Sequence, residues 1–463
     1  MGQTKKKIMI LLPDGVGLRN FAYTSFAAIG EQMGWKMIYW NKTPFDLSSL
    51  GLHEIPLQGK VSTKTNIYKR ARKEIELANF EAKFNDPIYR NYSFPPAAKT
   101  LKQKIKNRWV ANLIRKYKGA GISKLRAKIK ASEKNTAYYK SCLTTLDNER
   151  PDFLFCTNQR SVQAITPILA AQELNIPTAT FIFSWDNIPK ATLVLETDYY
   201  FVWSEHMKKE LLTYYEYIEE SQIVITGTPQ FEAHFDSSKI MDRSSFLSKH
   251  NLPEATDFIC FSGDDITTSP HDPYYLDAVA TAVAELNSKG YNLAILFRRC
   301  PVDISTRYDE VLAKHENLIF SLPPLWEKQG GQWDTLLPLK EDTDRLVNTI
   351  HHTRLVVNLG SSMAFDFACH NKPCMYIAFN PSSETLKKDV NTVYKYVHFR
   401  SMPSSEAVCW LRSKETIAAQ IEVLLKNDKR HVSEALEWFE KINESPPQKA
   451  SQRICSAIQN MIA

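Results

Sequence analysis

The chain has 463 residues, 43% hydrophobic and 24% charged, the make-up of a globular protein with room for two large domains. Its apolar runs fall short of the roughly 18 residues that predict a membrane-spanning helix. The eight cysteines form no C-x-x-C pair, so neither a zinc site nor a disulfide framework is indicated, and a reducing, cytoplasmic setting is expected. The formal net charge of +7 is uneven: lysines and arginines crowd residues 99–130 with almost no acids between them.

Residues 7–12 read as a first β-strand and not a signal peptide, because the apolar stretch is short and lacks a small-residue cleavage site. The turn that follows contains Asp14, Gly15 and Gly17, but Asn20 stands where a dinucleotide fingerprint has its third glycine. No nicotinamide or flavin site is read there. Asp14 fits either a turn-former beside glycine or a group facing a ligand. A helix to about residue 34 and a strand at 37–40 follow.

Residues 60–140 are helical and basic in pattern. Leu101, Ile105, Trp109, Leu113 and Tyr117 recur every four positions among lysines and arginines. Such a helix suits an anionic membrane surface, or packs on its own domain with a solvated basic face. No nucleic-acid module accompanies the charge, so nucleic acid is not expected as a partner.

From residue 151 strands and helices alternate. At the end of the strand at 178–183 comes Ser184-Trp185-Asp186-Asn187, with Trp185 suited to stacking on a ring and Asn187 to bonding a hydroxyl. A linker is expected from 227 to about 253. The second domain opens with a strand at 258–262, then a polar loop, a helix and a strand at 292–297. Arg298 and Arg299 follow it, suited to a diphosphate or standing as a surface pair. The Asp-x-Asp at 342–344 reads as a helix cap and not a metal site. His351 and His352 are adjacent and share no helix face, so no metal is assigned to them.

Residues 355–379 read as strand, Gly360-Ser361-Ser362 turn, helix, strand. A helix start after a parallel strand suits a phosphate, and Asp366, one turn on, suits ribose hydroxyls; an ordinary capped αβ unit has the same spacing. Helices are expected at 414–427 and 432–442, with a helical tail at 449–462.

Gly360-Ser361-Ser362 with Asp366 and Asn371-Lys372-Pro373 resembles the donor-site signature of GT-B glycosyltransferases, especially the branch that includes CDP-glycerol glycerophosphotransferases. Ser184 to Asn187, Tyr199 to Ser204 and Val224 to Phe231 resemble the last third of a GT-B acceptor domain. The resemblance implies an α/β fold of two doubly wound Rossmann-like domains facing across a cleft. They would be an acceptor domain at 1–235 with a basic insertion at about 60–140, a nucleotide-donor domain at 254–440, and a helix at 441–463 crossing back onto the first domain.

It also implies a metal-independent glycosyltransferase of bacterial surface-glycan synthesis. A UDP-type nucleotide sugar would be the donor substrate, with no cofactor and a glycan or lipid-linked acceptor. The enzyme would be cytoplasmic and peripheral at the inner face of the membrane, through the basic helical stretch at 99–130. Donor binding would fall to Ser262, Gly263, Arg298, Arg299, Gly360, Ser361, Ser362 and Asp366, with Arg298 also stabilising the departing diphosphate. Acceptor binding would fall to Gly15, Gly17, Asn20, Trp185, Asp186 and Asn187, with Asp14 as general base. The same fold suits transfer of an alcohol phosphate from a CDP-activated donor, with His271 or His398 as base. A nucleotide-sugar 2-epimerase needs a catalytic His and acid set that the sequence does not make evident. A non-enzymatic nucleotide-sugar sensor would keep the donor residues and lack a base.

Overall fold

A computed structural model describes residues 5–94, 99–328, 336–382 and 386–463. The chain divides into two compact units, unit 1 with residues 1–229 and 444–463, and unit 2 with residues 230–443.

Unit 1 is built on seven parallel strands: β1 (Lys7–Leu12), β2 (Lys36–Asn41), β3 (Glu54–Pro56), β4 (Phe153–Cys156), β5 (Thr178–Phe181), β6 (Tyr199–Val202) and β7 (Ile223–Ile225). Their order is β3-β2-β1-β4-β5-β6-β7. The central strands are buried along nearly all their length, β4 and most of β1 as apolar runs and β5 with Thr178 and Thr180 among its buried residues, as a sheet covered on both faces requires. The chain reverses direction across the sheet between β1 and β4. A doubly wound sheet opens its ligand crevice at such a point, at the carboxyl ends of the strands.

The helices of unit 1 are α1 (Val16–Phe21), α2 (Phe26–Gln32), α3 (Thr63–Phe84), α4 (Leu101–Tyr117), α5 (Ile122–Lys134), α6 (Ala137–Glu149), α7 (Ile165–Glu173) and α8 (Glu205–Tyr214). Helices α3, α4 and α5 share a small core of Ile67, Ala71, Ile75, Val110, Tyr117 and Leu125. Helix α4 starts at a capping box between Thr100 and Gln103. Its apolar residues divide: Val110 and Tyr117 are buried, whereas Leu101, Ile105 and Trp109 are 75%, 60% and 50% exposed. Helix α3 is tied to the body of unit 1 by Arg72, whose guanidinium donates to Leu193 O at 2.5 Å and Ala191 O at 3.1 Å and pairs with Glu76. Arg126 of α5 joins the same network through Glu76 and Glu196.

Unit 2 has six parallel strands, β8 (Asp257–Ser262), β9 (Leu293–Arg298), β10 (Ile319–Ser321), and, after an antiparallel pair β11 (Trp326–Lys328) and β12 (Leu336–Pro338), β13 (Thr353–Asn358), β14 (Cys374–Ile377) and β15 (Cys409–Leu411). The order β10-β9-β8-β13-β14-β15 places the switch point between β8 and β13. Its helices are α9 (Arg243–Lys249), α10 (Asp272–Ser288), α11 (Asp309–Lys314), α12 (Glu341–His351), α13 (Met363–Ala368), α14 (Ile417–Lys426) and α15 (Lys429–Ile442). Helix α9 lies in the stretch expected to be a linker. Phe246 and Leu247 draw it into a core with Leu252, Phe258 and Leu296, so the segment belongs to unit 2. Lys372 donates to the carbonyls of Ile350 (2.8 Å), His351 (2.5 Å) and Thr353 (2.5 Å), closing the C-terminal end of α12.

The last helix, α16 (Ala450–Ile462), returns to unit 1 and packs on α2. Ile454, Cys455 and Ile458 are buried, Trp35 Nε1 donates to Gln459 Oε1 at 2.8 Å, and Arg453 Nε donates to Thr226 O at 2.7 Å.

Candidate functional site

In unit 2 the loops after β8, β9 and β13 carry the residues singled out for the donor. Gly360 has φ +67°, and a Cβ there would meet the Phe399 ring at 3.0 Å, so this turn requires glycine. Asn358 Oδ1 accepts from Ser361 N at 2.8 Å, and Ser361 Oγ accepts from Met363 N at 3.3 Å. The hydroxyl of Ser361 therefore caps α13, while Ser362, at the cap position itself, makes no side-chain cap bond. Ser262 is buried, and a Cβ on Gly263 would meet the Tyr308 hydroxyl at 2.7 Å.

The two arginines do not act as a pair. Arg298 is 6% exposed, and its Nη2 lies 2.9 Å from both Asp342 oxygens. Its Nη1 is buried with no partner. Asp342 also accepts from Leu325 N at 2.8 Å and Trp326 Nε1 at 2.9 Å. Asp342 was expected to cap a helix; it is instead the buried counter-charge of Arg298, because α12 begins with its side chain turned inward. Arg299 stacks over the Tyr308 ring at 5.4 Å and donates to Ser305 O.

Asp366 was expected to suit ribose hydroxyls. It is 4% exposed, and its Oδ1 lies 3.0 Å from His234 Nε2. The other ring nitrogen of His234 lies 3.1 Å from His370 Nε2. Burial first, and then the neighbouring His234, push His370 down to about 3, so it is neutral at ordinary pH. His271 accepts from Lys387 N at 2.8 Å, and His398 is buried and stacks on Tyr396.

Sequence reading missed Asp264, in the loop directly after β8. Its backbone N–H donates to Asp272 Oδ2 at 2.5 Å, and Arg307 holds the loop by donating to Asp264 O and Ser269 O, each at 2.6 Å. Desolvation and then the Asp272 charge push the Asp264 carboxyl up to about 8; burial pushes Asp272 to about 6. Burial and the neighbouring Asp272 charge thus favour the neutral form of Asp264.

In unit 1 the loops after β1 and β4 meet at the switch point. Asp14 accepts from Asn158 Nδ2 at 2.8 Å and Val16 N at 3.2 Å. Burial raises its pKa against the lowering effects of Asn158 and Arg160. A Cβ on Gly17 would run into Thr157, so this glycine lets α1 lie against β4. Gly15 and Asn20 are also buried. Trp185 is 8% exposed and Asn187 4%, and Asn187 Oδ1 accepts from Thr192 Oγ1 at 3.4 Å. Asp186 accepts from Ser184 and Asn187 and pairs with Lys190. These bonds hold the turn in place. Lys69, Asn158 and Arg160, none of them singled out by the sequence, lie around Asp14.

No protein-family model matches the sequence, and no curated protein matches it. Solved structures do. The chain is similar to MnaA of S. aureus in its UDP co-structure (12% identity, 99% of this chain and 97% of that one, TM-score 0.53). It is similar to the UDP-GlcNAc 2-epimerase of Methanocaldococcus jannaschii (14%, 99% and 100%, 0.54). It is also similar to a glycosyltransferase of Rickettsia africae (11%, 99% and 99%, 0.52). The fold is GT-B, as the resemblance in the sequence implied.

Proposed function

We propose that the chain is a glycosyltransferase that binds a UDP-type nucleotide sugar on unit 2 and an acceptor hydroxyl on unit 1. The reading rests chiefly on one observation: in each unit the switch point of the parallel sheet is lined by ionisable side chains on short, tightly held loops. On unit 2, Arg299, the Ser361-Ser362 turn and the unpartnered Nη1 of Arg298 supply donors for a diphosphate. In its neutral form Asp264 donates to a phosphate oxygen that a carboxylate would repel. On unit 1, Asp14 is the base for the acceptor hydroxyl, with Asn158 and Val16 N fixing its orientation. The acceptor is lipid-linked, and the exposed Leu101, Ile105 and Trp109 of α4 seat the enzyme on an anionic membrane during surface-glycan synthesis.

The test begins with thermal shifts against UDP, GDP, CDP and CMP compounds with EDTA present, followed by product analysis by NMR. Release of UDP from a UDP-sugar only when a lipid extract is added supports the reading. Appearance of the C2 epimer without acceptor would replace it with 2-epimerisation, and no shift with any nucleotide would sink it.

A further inference from the structure

The insertion that carries α3 and α5 builds a second concavity on unit 1. A cleft of about 490 Å³ lies between α3, α5 and the segment after α8. Of its lining, Glu196 precedes β6 and residues 214–217 lead toward β7, so the cleft sits at the amino ends of these strands. Asp14 and Asn158 follow β1 and β4, at the opposite, carboxyl ends. Phe80, Tyr215 and Tyr217 give the cleft aromatic walls. The Tyr215 hydroxyl is taken up by Ile188 O at 3.2 Å, and Tyr217 is 46% exposed.

The charged groups of the cleft are matched one against another. Lys83 pairs with Glu216 at 2.5 Å, Arg126 with Glu76 and, at 3.2 Å, with Glu196, and Lys130 with Glu196. Three cations thus meet three carboxylates, which leaves no net charge to draw an ion. Paired carboxylates and ammonium groups keep lone pairs and N–H groups that hydroxyls can bond. The Arg126 guanidinium also lies 4.6 Å from the centre of the Tyr217 ring and holds it in place. Behind the cleft a small cavity of about 20 Å³ shares Arg126, Lys130 and Glu196 with it and is lined by Arg72 as well. Arg72 is 1% exposed, and its Nε is buried with no partner. The space admits one water. A buried N–H there calls for an oxygen, from that water or from a ligand hydroxyl.

We propose that this cleft is a glycan-binding subsite that takes an uncharged mono- or disaccharide unit, apart from the switch-point crevice. Its volume falls in the usual range for small-molecule sites. The aromatic walls suit the apolar C–H face of a pyranose ring. Glu76 and Glu196 accept from sugar hydroxyls, while Arg126, Lys130 and the Asn79 amide donate to them. A phosphate or nucleotide is disfavoured, because its charge has to break an ion pair that is already made. A purely apolar ligand is disfavoured too, since it would bury these ion pairs and bring no hydroxyl to meet them. The subsite does not rest on the transferase reading.

Saturation-transfer NMR and calorimetry on the full chain, with saturating UDP present, test the subsite. The probes are maltose, cellobiose and N,N′-diacetylchitobiose, of which at least one should bind the wild type. Ala127 is exposed on α5 and lines the cleft, so Ala127→Trp fills the space while removing little packing. That variant should bind the same sugar about tenfold or more weakly, with melting temperature and UDP affinity unchanged. Tyr217→Leu, which removes the ring, should also weaken binding by about tenfold, and it carries the test if Ala127→Trp does not fold. No binding of any of these sugars to the wild type, or equal affinity in wild type and variant, would overturn the subsite. Glucose 6-phosphate binding more tightly than the neutral sugars would overturn the uncharged class. Sugar binding in a protein that ignores every nucleotide would sink the transferase reading and spare the subsite.

Discussion

Asp366 and His234 form a buried carboxylate–imidazole pair at 3.0 Å, between positions 132 residues apart in the sequence. The pair lies inside unit 2, so removing either member takes away a buried hydrogen bond of the other. His234→Ala and Asp366→Ala should each lower stability by about 1–3 kcal/mol in urea unfolding. The double variant should lose less than the sum, since contacting groups couple. UDP affinity measured on Asp366→Asn should hold. A fall in affinity at unchanged stability would return the carboxylate to the ribose.

Arg298 and Asp342 are a second buried pair, and breaking one side strands the other charge. Asp342→Ala should cost about 3–5 kcal/mol, while Arg298→Met/Asp342→Leu should recover most of that loss. Trp326, whose indole donates to Asp342, reports the change by fluorescence. Equal stability of the single variant and wild type would show the pair to be inert.

The carboxyl of Asp264 titrates at about 8 in the folded chain, above the roughly 3.9 of an unfolded aspartate. The folded state therefore holds more protons between these values. The linked stability is full below about 4 and is lost as pH rises through about 8. Asp264→Asn should melt higher than wild type at pH 8 and show a flatter profile between pH 5 and 9. Superimposable melting profiles would contradict the protonated state.

The exposed stripe of α4 predicts binding to anionic vesicles that weakens with salt. Lys102, Lys106 and Arg115 changed to Glu should weaken co-sedimentation, and Trp109 emission should shift to the blue on binding. Ile105→Glu should abolish binding while leaving stability within about 0.5 kcal/mol, because the side chain packs on little. Equal binding to neutral and anionic lipid would remove the role.

Helix α16 completes the core of unit 1, so Ile458→Ala should destabilise that unit by about 2–5 kcal/mol. In calorimetry the loss should appear in the transition reported by Trp35, which bonds Gln459. A deletion of residues 447–463 that melts like wild type would argue that the helix is dispensable.

The alternation of apolar runs with amphipathic stretches made the two parallel sheets legible, because strands buried on both faces leave continuous hydrophobic signatures. The turns after β1, β8 and β13 were legible from Gly15, Gly263 and Gly360. The direction of individual side chains was not. Arg298 and Arg299 look alike in sequence, yet strand alternation sends one inward to Asp342 and the other onto Tyr308. The burial of Trp185 and Asn187 was not legible either. His234 and Lys69 were invisible as site residues because their partners lie far along the chain and only the fold brings them together.

The route of the chain has a consequence for its biosynthesis. Unit 2 is continuous, so all of its residues have been made once Asn443 is added. Unit 1 is split, and the helix that closes it, Ala450–Ile462, is translated only after the whole of unit 2. At about 5–20 residues per second, that interval is on the order of 10–40 s. During it the apolar surface of α2 has no native cover, and a nascent chain in that state is a substrate for chaperones.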